Sequence, residues 1–316
     1  MEAPVTIRLG YQIPNFTYPG VPVENLFDTV AAQAREAEAA GFDTVLVMDH
    51  FYQLPGINTP DNPMLESYTT LAALAASTSA VQLSTLVTGN TYRNPALTAK
   101  TVTTLDVISK GRAILGIGAG WFEREHHDYG FTFGTFGERF ERLEEALTII
   151  APMLRGEEAT FDGKWYTARG AMNHPRLRTV PIMLGGAGEQ KTFRLAARFA
   201  DHMNIICDLD DLPRKVAVLR QRCEEIGRDP ATLATSFLAT GMVGETEQEA
   251  KELDATLDDG RRARAFVGTP DRVAEQIQEK ILGAGVDGIC INLMRNGHRP
   301  GVVTMVGEAL RPLVTA

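Results

Sequence analysis

Short apolar runs alternate with helical patterns along the whole chain. The runs are rich in β-branched residues, and each is followed by a segment in which apolar residues recur at helical spacing. The pattern predicts strands at residues 5–13, 44–48, 81–88, 113–117, 181–184, 203–206, 234–243 and 288–293. It predicts helices at residues 23–40, 64–79, 95–109, 137–154, 190–199, 212–226, 270–284 and 302–314.

Eight strand–helix units favour one closed (β/α)8 barrel. Continuous apolar strands separated by helices indicate a parallel sheet, and eight units favour a closed barrel over an open doubly wound sheet. No linker rich in Pro, Gly or Ser divides residues 1–316, so we expect one domain. Residues 157–169 are typical of a small hairpin that turns at Asp162-Gly163 and is inserted after the fourth helix, and the charged residues 244–266 are expected to cover the barrel mouth. Either insertion is a lid or a surface excursion without function.

Composition and charge limit the partners of this protein. The 316 residues are 44% apolar and 22% charged, which is typical of a globular enzyme. The net charge of −9 and the absence of a Lys/Arg stripe argue against nucleic acid. The start lacks the pattern of a signal peptide, and no apolar run is long enough to span a bilayer, so we expect no membrane partner. Cys207, Cys223 and Cys290 lie far apart, which fits buried thiols in a reducing cytoplasm.

The second and third predicted helices are poor in charge. Glu66 is the one charged residue between positions 64 and 88, and Lys100 and Asp106 are the ones between 96 and 109. An outer helix of a barrel normally keeps a charged face toward water. We therefore expect a second subunit to cover these helices.

The predicted strands end in polar or glycine-rich segments. In a (β/α)8 barrel the chemistry lies at these carboxyl ends, because all of them meet at one mouth. The segments are Asp49-His50 and residues 88–94, 116–125 and 185–188. Residues Gly185, Gly186, Ala187 and Gly188 precede a helix, where converging backbone N–H groups would bind a phosphate. The alternative is a tight turn that needs glycine.

His50 is the candidate acid–base residue, since imidazole exchanges protons near neutral pH. The alternative is a histidine that only makes hydrogen bonds within its loop. Residues 116–120 lack the spacing of a dinucleotide fingerprint, and their small side chains would let a planar ring or a sugar chain approach the backbone. Glu125 either faces the pocket or serves at the start of a helix. His126-His127 lack further ligands at metal spacing, so we expect no metal.

In these motifs the chain resembles the luciferase-like flavin and deazaflavin oxidoreductases over essentially its full length. The segments that carry the resemblance are residues 41–43 (GFD), 48–51 (MDHF), 86–95 (LVTGNTYRNP), 105–112 (LDVISKGR), 118–125 (GAGWFERE), 137–143 (GERFERL), 184–188 (LGGAG) and 200–204 (ADHMN). The Asp-His ending and the TGNTYRNP segment look most like the branch that uses coenzyme F420, a 5-deazaflavin that carries hydride.

The resemblance implies a barrel with the tricyclic ring in its mouth, His50 near the reactive face and a homodimer through the second and third helices. It implies a non-proline cis peptide at the end of the third strand, which by position would be Gly89–Asn90. The residues expected to contact the cofactor are Asp49, Thr88, Gly89, Asn90, Glu125, Gly185, Gly186, Ala187 and Gly188. Two positions depart from the family: Asn90 stands where a small aliphatic residue is common, and Trp121 stands where sugar-phosphate dehydrogenases carry a glutamate.

Three functions are consistent with the sequence. The first is an F420-dependent oxidoreductase that moves hydride between the cofactor and a small organic substrate, with His50 handling the proton. The second is an FMN-dependent two-component monooxygenase, which takes reduced FMN from a separate reductase partner. The third is a barrel that binds flavin without catalysis. The sequence does not identify the substrate.

Overall fold

The computed structural model describes residues 7–262 and 264–314. Its strands are β1 (Leu9–Ile13), β2 (Thr44–Val47), β3 (Gln82–Thr85), β4 (Thr88–Gly89), β5 (Leu115–Gly118), β6 (Ala159–Asp162), β7 (Thr167–Ala171), β8 (Ile182–Gly186), β9 (His202–Ile205), β10 (Ala234–Val243), β11 (Ala265–Gly268) and β12 (Gly288–Asn292). Its helices are α1 (Leu26–Ala40), α2 (Ser67–Ser77), α3 (Pro95–Ile108), α4 (Glu123–Tyr129), α5 (Phe136–Arg155), α6 (Thr192–Phe199), α7 (Leu212–Glu224), α8 (Glu247–Asp254), α9 (Asp259–Arg262), α10 (Pro270–Lys280) and α11 (Val302–Val314).

Ten of these strands form a parallel sheet that closes on itself. Neighbouring strands follow the order β3-β2-β1-β12-β10-β9-β8-β5. A bridge between Leu83 and Ala113 joins β3 to the segment before β5 and completes the circle. Two short strands lie beside this circle, with β4 paired to β5 and β11 paired to β10. The expected (β/α)8 barrel is confirmed.

Local sequence signals explain where the long helices begin and end. Gly41 ends α1 in the left-handed region with a φ of 89°, where a residue without Cβ is favoured. At the start of α5, the Thr135 hydroxyl accepts a hydrogen bond from the Glu138 N–H, and the Glu138 carboxylate accepts one from the Thr135 N–H. This reciprocal cap fixes the start of α5 one residue before the predicted position 137. Every residue of β1, β2, β5, β9 and β12 is buried, as expected for strands inside a ring of helices.

Several predicted elements have different bounds in the structure. The helix predicted at 64–79 begins at Ser67, because the Glu66 carboxylate accepts a hydrogen bond from the Thr69 N–H and so caps the helix. The strand predicted at 113–117 begins at Leu115, since Ala113 forms the bridge that closes the barrel. The strand predicted at 81–88 is divided into β3 and β4 by a bulge. Residues 5 and 6 of the first predicted strand lie outside the described residues.

The two predicted insertions occupy different places. Strands β6 and β7 pair as an antiparallel hairpin, and the Glu145 carboxylate of α5 accepts hydrogen bonds from the N–H groups of Lys164, Trp165 and Tyr166 in its turn. The second insertion contains α8, α9 and the first residues of β11. In the part of the chain that the structure describes, no helix is both long and apolar enough to cross a membrane.

Candidate active site

The carboxyl ends of the barrel strands enclose a cavity of about 770 Å³. This size is typical of sites for small molecules and cofactors. Residues that line the cavity include Gln12, Asp49, His50, Val87, Gly89, Gly118, Trp121, Gly185, Gly186, Thr240 and Asn292. In barrels of this kind the active site is built at this end of the strands. The cavity is therefore the candidate active site.

His50 and Glu125 form a hydrogen-bonded pair at the cavity wall. Nδ1 of His50 lies 2.9 Å from Oε2 of Glu125. The His50 side chain is 12% exposed, whereas the Glu125 side chain is fully buried. Glu125 lies in the first turn of α4, where the helix dipole favours a negative charge. The imidazole thus faces the cavity with a buried carboxylate behind it.

Further donors hold Glu125 in its ionised form. Its Oε1 accepts hydrogen bonds from the N–H groups of Phe51 (2.6 Å) and Tyr52 (2.9 Å), and its Oε2 accepts one from the Tyr92 hydroxyl (2.6 Å). Burial opposes the negative charge, but the hydrogen bonds from His50 and these groups outweigh it and lower the pKa of Glu125. Since an ionised carboxylate only accepts hydrogen bonds, Nδ1 of His50 carries a proton. In the neutral ring Nε2 is then the atom that can accept a proton.

The carboxylate of Asp49 is engaged with protein groups. Arg93 donates to both oxygens, at 2.7 and 2.9 Å, and the Ser67 hydroxyl and the Gly89 N–H donate at 2.7 and 2.9 Å. Burial disfavours the charge of Arg93, but the hydrogen bond and the charge of Asp49 raise the pKa of Arg93 above its ordinary value. Asp49 therefore fixes the position of β4 relative to α2, while the residue itself lines the cavity.

A non-proline cis peptide lies between Leu86 and Val87. The predicted position, Gly89–Asn90, was wrong. That prediction took the glycine as the bulge, whereas the chain leaves the sheet after Thr85 and pairs again from Thr88. Val87 follows the cis bond and lines the cavity. An apolar residue, Val87, therefore follows the cis bond, and Asn90 lies three residues farther along the chain.

Two glycines on neighbouring strands make room for Val87. A Cβ built on Gly118 would lie 2.9 Å from Cγ2 of Val87, and one on Gly185 would lie 2.8 Å from Cγ1. Both distances are shorter than van der Waals contact allows. The β-branched side chain of Val87 therefore occupies space that any other residue at 118 or 185 would need.

The glycine-rich segment 185–188, at the end of β8, contributes only its first two residues to the cavity wall. Gly185 and Gly186 line the cavity, and so does Thr192 at the start of α6. Ala187, which is half-buried, and Gly188, which is exposed, do not line the cavity. The Ala187 carbonyl accepts a hydrogen bond from Lys215 Nζ at 3.0 Å, and the Gly188 carbonyl accepts one from the Phe193 N–H at 3.0 Å.

Three predicted cofactor contacts, Thr88, Asn90 and Glu125, are buried and do not line the cavity. The Thr88 hydroxyl lies 2.7 Å from the hydroxyls of both Tyr68 and Thr85. The Asn90 side-chain amide lies 3.5 Å from the Tyr166 hydroxyl in the hairpin. These side chains support the wall from behind. The hairpin residues 157–169 themselves do not line the cavity.

Gln12 and Asn292 form a polar part of the wall that sequence reasoning missed. The residues pair across β1 and β12, and Asn292 Nδ2 donates to Gln12 Oε1 at 3.1 Å. Gln12 Nε2 donates in turn to the Leu86 carbonyl at 3.4 Å. Asn292 Oδ1 is buried and has no hydrogen-bond partner among the described residues. A polar residue inside an otherwise apolar strand is the signal that marked both positions.

Aromatic side chains flank His50. The rings of Trp121 and Phe122 meet the imidazole edge-on, with centroids 5.7 and 5.8 Å away. Trp121 lines the cavity and is 60% exposed. The cavity therefore has an aromatic wall beside the histidine.

Known proteins resemble this chain in sequence. A family model for luciferase-like monooxygenases matches residues 7–256. The F420-dependent hydroxymycolic acid dehydrogenase of Mycobacterium tuberculosis is 31% identical over 231 residues, which cover 72% of this chain and 62% of that protein. The 5,10-methylenetetrahydromethanopterin reductase of Methanolobus tindarius is 31% identical over 252 residues, which cover 78% of this chain and 70% of that protein.

Solved structures share the fold. An F420-dependent secondary alcohol dehydrogenase in complex with an F420-acetone adduct superposes with a TM-score of 0.80 at 20% identity, covering 99% of this chain and 100% of that one. The oxygenating constituent of 3,6-diketocamphane monooxygenase from Pseudomonas putida, in complex with FMN, superposes with a TM-score of 0.75 at 20% identity, covering 97% of both chains. The match of the family model over most of the sequence decides the assignment. This chain belongs to the luciferase-like monooxygenase family.

Proposed function

We propose that this protein is a coenzyme F420-dependent oxidoreductase, which moves a hydride between the deazaflavin and a small organic substrate. The observation that carries the proposal is His50, which lines the cavity while the buried Glu125 holds its Nδ1. The name of the Mycobacterium tuberculosis relative supports the choice of F420. The alternative function is that of an FMN-dependent monooxygenase.

The residues of the cavity fit a planar cofactor that carries a phosphate. Val87 offers an apolar surface for a ring, and the glycines beside it keep that surface open. Gly186 and Thr192, at the entry to α6, would hold the phosphate through a backbone amide and a hydroxyl. The unpaired Oδ1 of Asn292 would accept a hydrogen bond from an N–H group.

When bound, the deazaflavin accepts or supplies the hydride. An alcohol that is oxidised must also lose its hydroxyl proton, and the neutral imidazole of His50 accepts that proton at Nε2. Reduction of a carbonyl or alkene needs a proton instead, which the charged imidazole donates. Glu125 stabilises the positive charge on the ring in both directions, because its carboxylate stays hydrogen-bonded to Nδ1. Trp121 limits the access of water to His50.

Cofactor titration tests the proposal. Cofactor-free protein is titrated with F420 and with FMN, and binding is followed by fluorescence. We expect F420 to bind at least about tenfold more tightly than FMN, a difference of about 1.4 kcal/mol. Tighter binding of FMN would contradict the proposal and favour the monooxygenase, which would then require a separate reductase partner.

Substitution of His50 tests its role in catalysis. His50→Ala should bind F420 with the affinity of the unmodified protein and lose about 10²-fold or more in turnover with the best substrate of an alcohol and ketone panel. His127→Ala is the matched control, since His127 is 88% exposed on the same helix as Glu125. Equal turnover of the His50 and His127 variants would exclude the catalytic role. If the unmodified protein and both variants bind F420 but turn over no substrate, a barrel that binds the cofactor without catalysis is favoured.

A homodimer through α2 and α3 is part of the proposal. Leu97 and Ile108 of α3 are 57% and 44% exposed in the single chain, and few charges lie near them. A second copy would cover this face. Light scattering should show a dimer that Leu97→Glu converts to a monomer, whereas Val23→Glu, at a position that is exposed elsewhere, should leave it intact. A monomeric unmodified protein would refute this part.

A further inference from the structure

The cavity carries more positive than negative charge. Apart from His50, the charged residues of its lining are Arg139, Arg261, Arg264, Asp49 and Asp258. Asp49 is neutralised by the two hydrogen bonds from Arg93. Asp258 pairs with Arg261, whose Nε lies 3.4 Å from Oδ2. Two guanidinium groups, those of Arg139 and Arg264, are therefore left without a lining carboxylate.

The surroundings of Arg139 satisfy its guanidinium without an ion pair. It donates to the carbonyls of Gly120 at 3.1 Å and Gly134 at 2.9 Å. It also lies over the ring of Phe133, 3.9 Å from the ring centre, where a cation is attracted to the aromatic face. Arg139 is thus built into the wall, and it does not require an anion from outside.

Arg264 differs from the other cavity arginines. Within residues 7–262 and 264–314, no carboxylate lies within 4.0 Å of its guanidinium, and its side chain makes no hydrogen bond. It is partly buried, and it lies near Arg261. Burial, and then the charges of Arg264 and Arg295, lower the pKa of Arg261 against the effect of Asp258. Clustered guanidinium groups of this kind repel one another, and a bound anion would relieve that repulsion.

Strand register separates Arg264 from the unpaired acceptor of Asn292 by the width of β10. Thr240 of β10 pairs with Asn292 on one side and with Ala265 on the other, and its N–H donates to the Arg264 carbonyl at 3.2 Å. Arg264 therefore lies at the edge of β10 opposite the edge that pairs with Asn292, and both residues line the cavity. Asn292 is only 6% exposed, and its Oδ1 has no hydrogen-bond partner in the part of the chain that the structure describes. Of these two groups, only the Arg264 guanidinium donates hydrogen bonds, so it alone would bind an anion.

We propose that Arg264 binds an anionic group of the substrate, so that the substrate class is small alcohols or carbonyl compounds that carry a carboxylate or a phosphate. The role of the bound molecule as a substrate rests on the proposed oxidoreductase function, whereas the anion site itself rests on the lining of the cavity. A guanidinium matches either anion with two parallel hydrogen bonds. The lining of the cavity beside His50 then holds the neutral, reacting part of the molecule.

Two matched pairs of probes test the anion site and separate its two forms. The carboxylate pair is 4-oxopentanoate and 2-pentanone, and the phosphate pair is dihydroxyacetone phosphate and dihydroxyacetone. Binding is measured by calorimetry with the cofactor-free protein and again with whichever cofactor it binds. We expect the anionic member of at least one pair to bind about tenfold or more tightly than its neutral partner.

Substitutions assign the preference to Arg264. Arg264→Met should abolish the preference and leave the affinity for the neutral probe and for the cofactor unchanged, and Arg264→Lys should keep part of it. Arg35→Met, at an exposed position of α1, should behave as the unmodified protein. Equal binding of both members of both pairs, or an anion preference that survives in Arg264→Met, would overturn the inference. Because cofactor affinity is measured separately, failure of F420 to bind would refute the proposed function without deciding the anion site.

Discussion

Replacing Glu125 by Gln separates the charge of this residue from its shape. The amide oxygen can still accept the hydrogen bonds that Phe51 and Tyr52 now donate to Oε1. The amide nitrogen then takes the place of Oε2, 2.9 Å from Nδ1 of His50. Because that nitrogen is a donor, Nδ1 must become an acceptor and the ring proton moves to Nε2. The variant therefore presents His50 in the wrong tautomer for a base.

The expected loss in kcat follows from the hydrogen bond that the Glu125 carboxylate no longer makes to the imidazole. A hydrogen bond to a charged group contributes about 1.5–3 kcal/mol, which corresponds to a factor of about 10 to 150 in rate when the charge on the imidazole develops in the transition state. The cost of the wrong tautomer adds to this factor. We expect kcat of Glu125→Gln to fall about 10²-fold or more while KM and the F420 affinity change little.

The assay combines kinetics with spectroscopy. Hydride transfer is followed by the absorbance of F420 with the best substrate of the panel, and ¹⁵N NMR of labelled protein reports which imidazole nitrogen of His50 carries the proton. Glu123→Gln is the control, since Glu123 is exposed in the same turn of α4. The reasoning is refuted if Glu125→Gln keeps the Nδ1–H tautomer, or if its kcat equals that of Glu123→Gln.

The pKa of Glu125 and the space around Val87 give two further predictions. The pKa of Glu125 is lowered in the folded protein from an ordinary value of 4.5, so its contribution to stability is full above pH 4.5 and is lost as the pH falls through the lower folded value. The difference in Tm between the unmodified protein and Glu125→Gln should thus shrink below pH 4.5, and a difference that is constant from neutral pH downward would contradict this. Gly185→Ala places a Cβ 2.8 Å from Val87, and overpacking of about 1–3 kcal/mol should weaken F420 binding about tenfold, measured by fluorescence titration. Gly137→Ala, whose added Cβ would meet only the Thr135 hydroxyl at an ordinary 3.9 Å, is the control, and equal affinity of the two variants would show that Val87 does not shape the site.

The sequence predicted those features of the fold and the site that depend on a single strand or a single helix. The periodicity located the barrel strands, and the polar ends of β2 and β8 located one wall of the cavity at His50 and Gly185. It was less informative about Glu125, because a residue in the first turn of α4 points toward the cavity or away from it according to how α4 packs on the loop after β2. Its contacts with Phe51 and Tyr52 are set by tertiary structure, and no local pattern encodes them.

The position of the cis bond shows why such details depend on several segments at once. The N–H of Gly89 donates to Asp49 at the end of β2, which fixes where the chain pairs again after the bulge. Val87 fits only because Gly118 on β5 and Gly185 on β8 both lack a side chain. The TGNTYRNP motif alone predicts Gly89 as the bulge residue, since glycine accepts the widest range of backbone conformations. The glycines that make room for Val87 lie instead on two other strands, so this wall of the cavity is specified by the closure of the barrel and not by the TGNTYRNP segment alone.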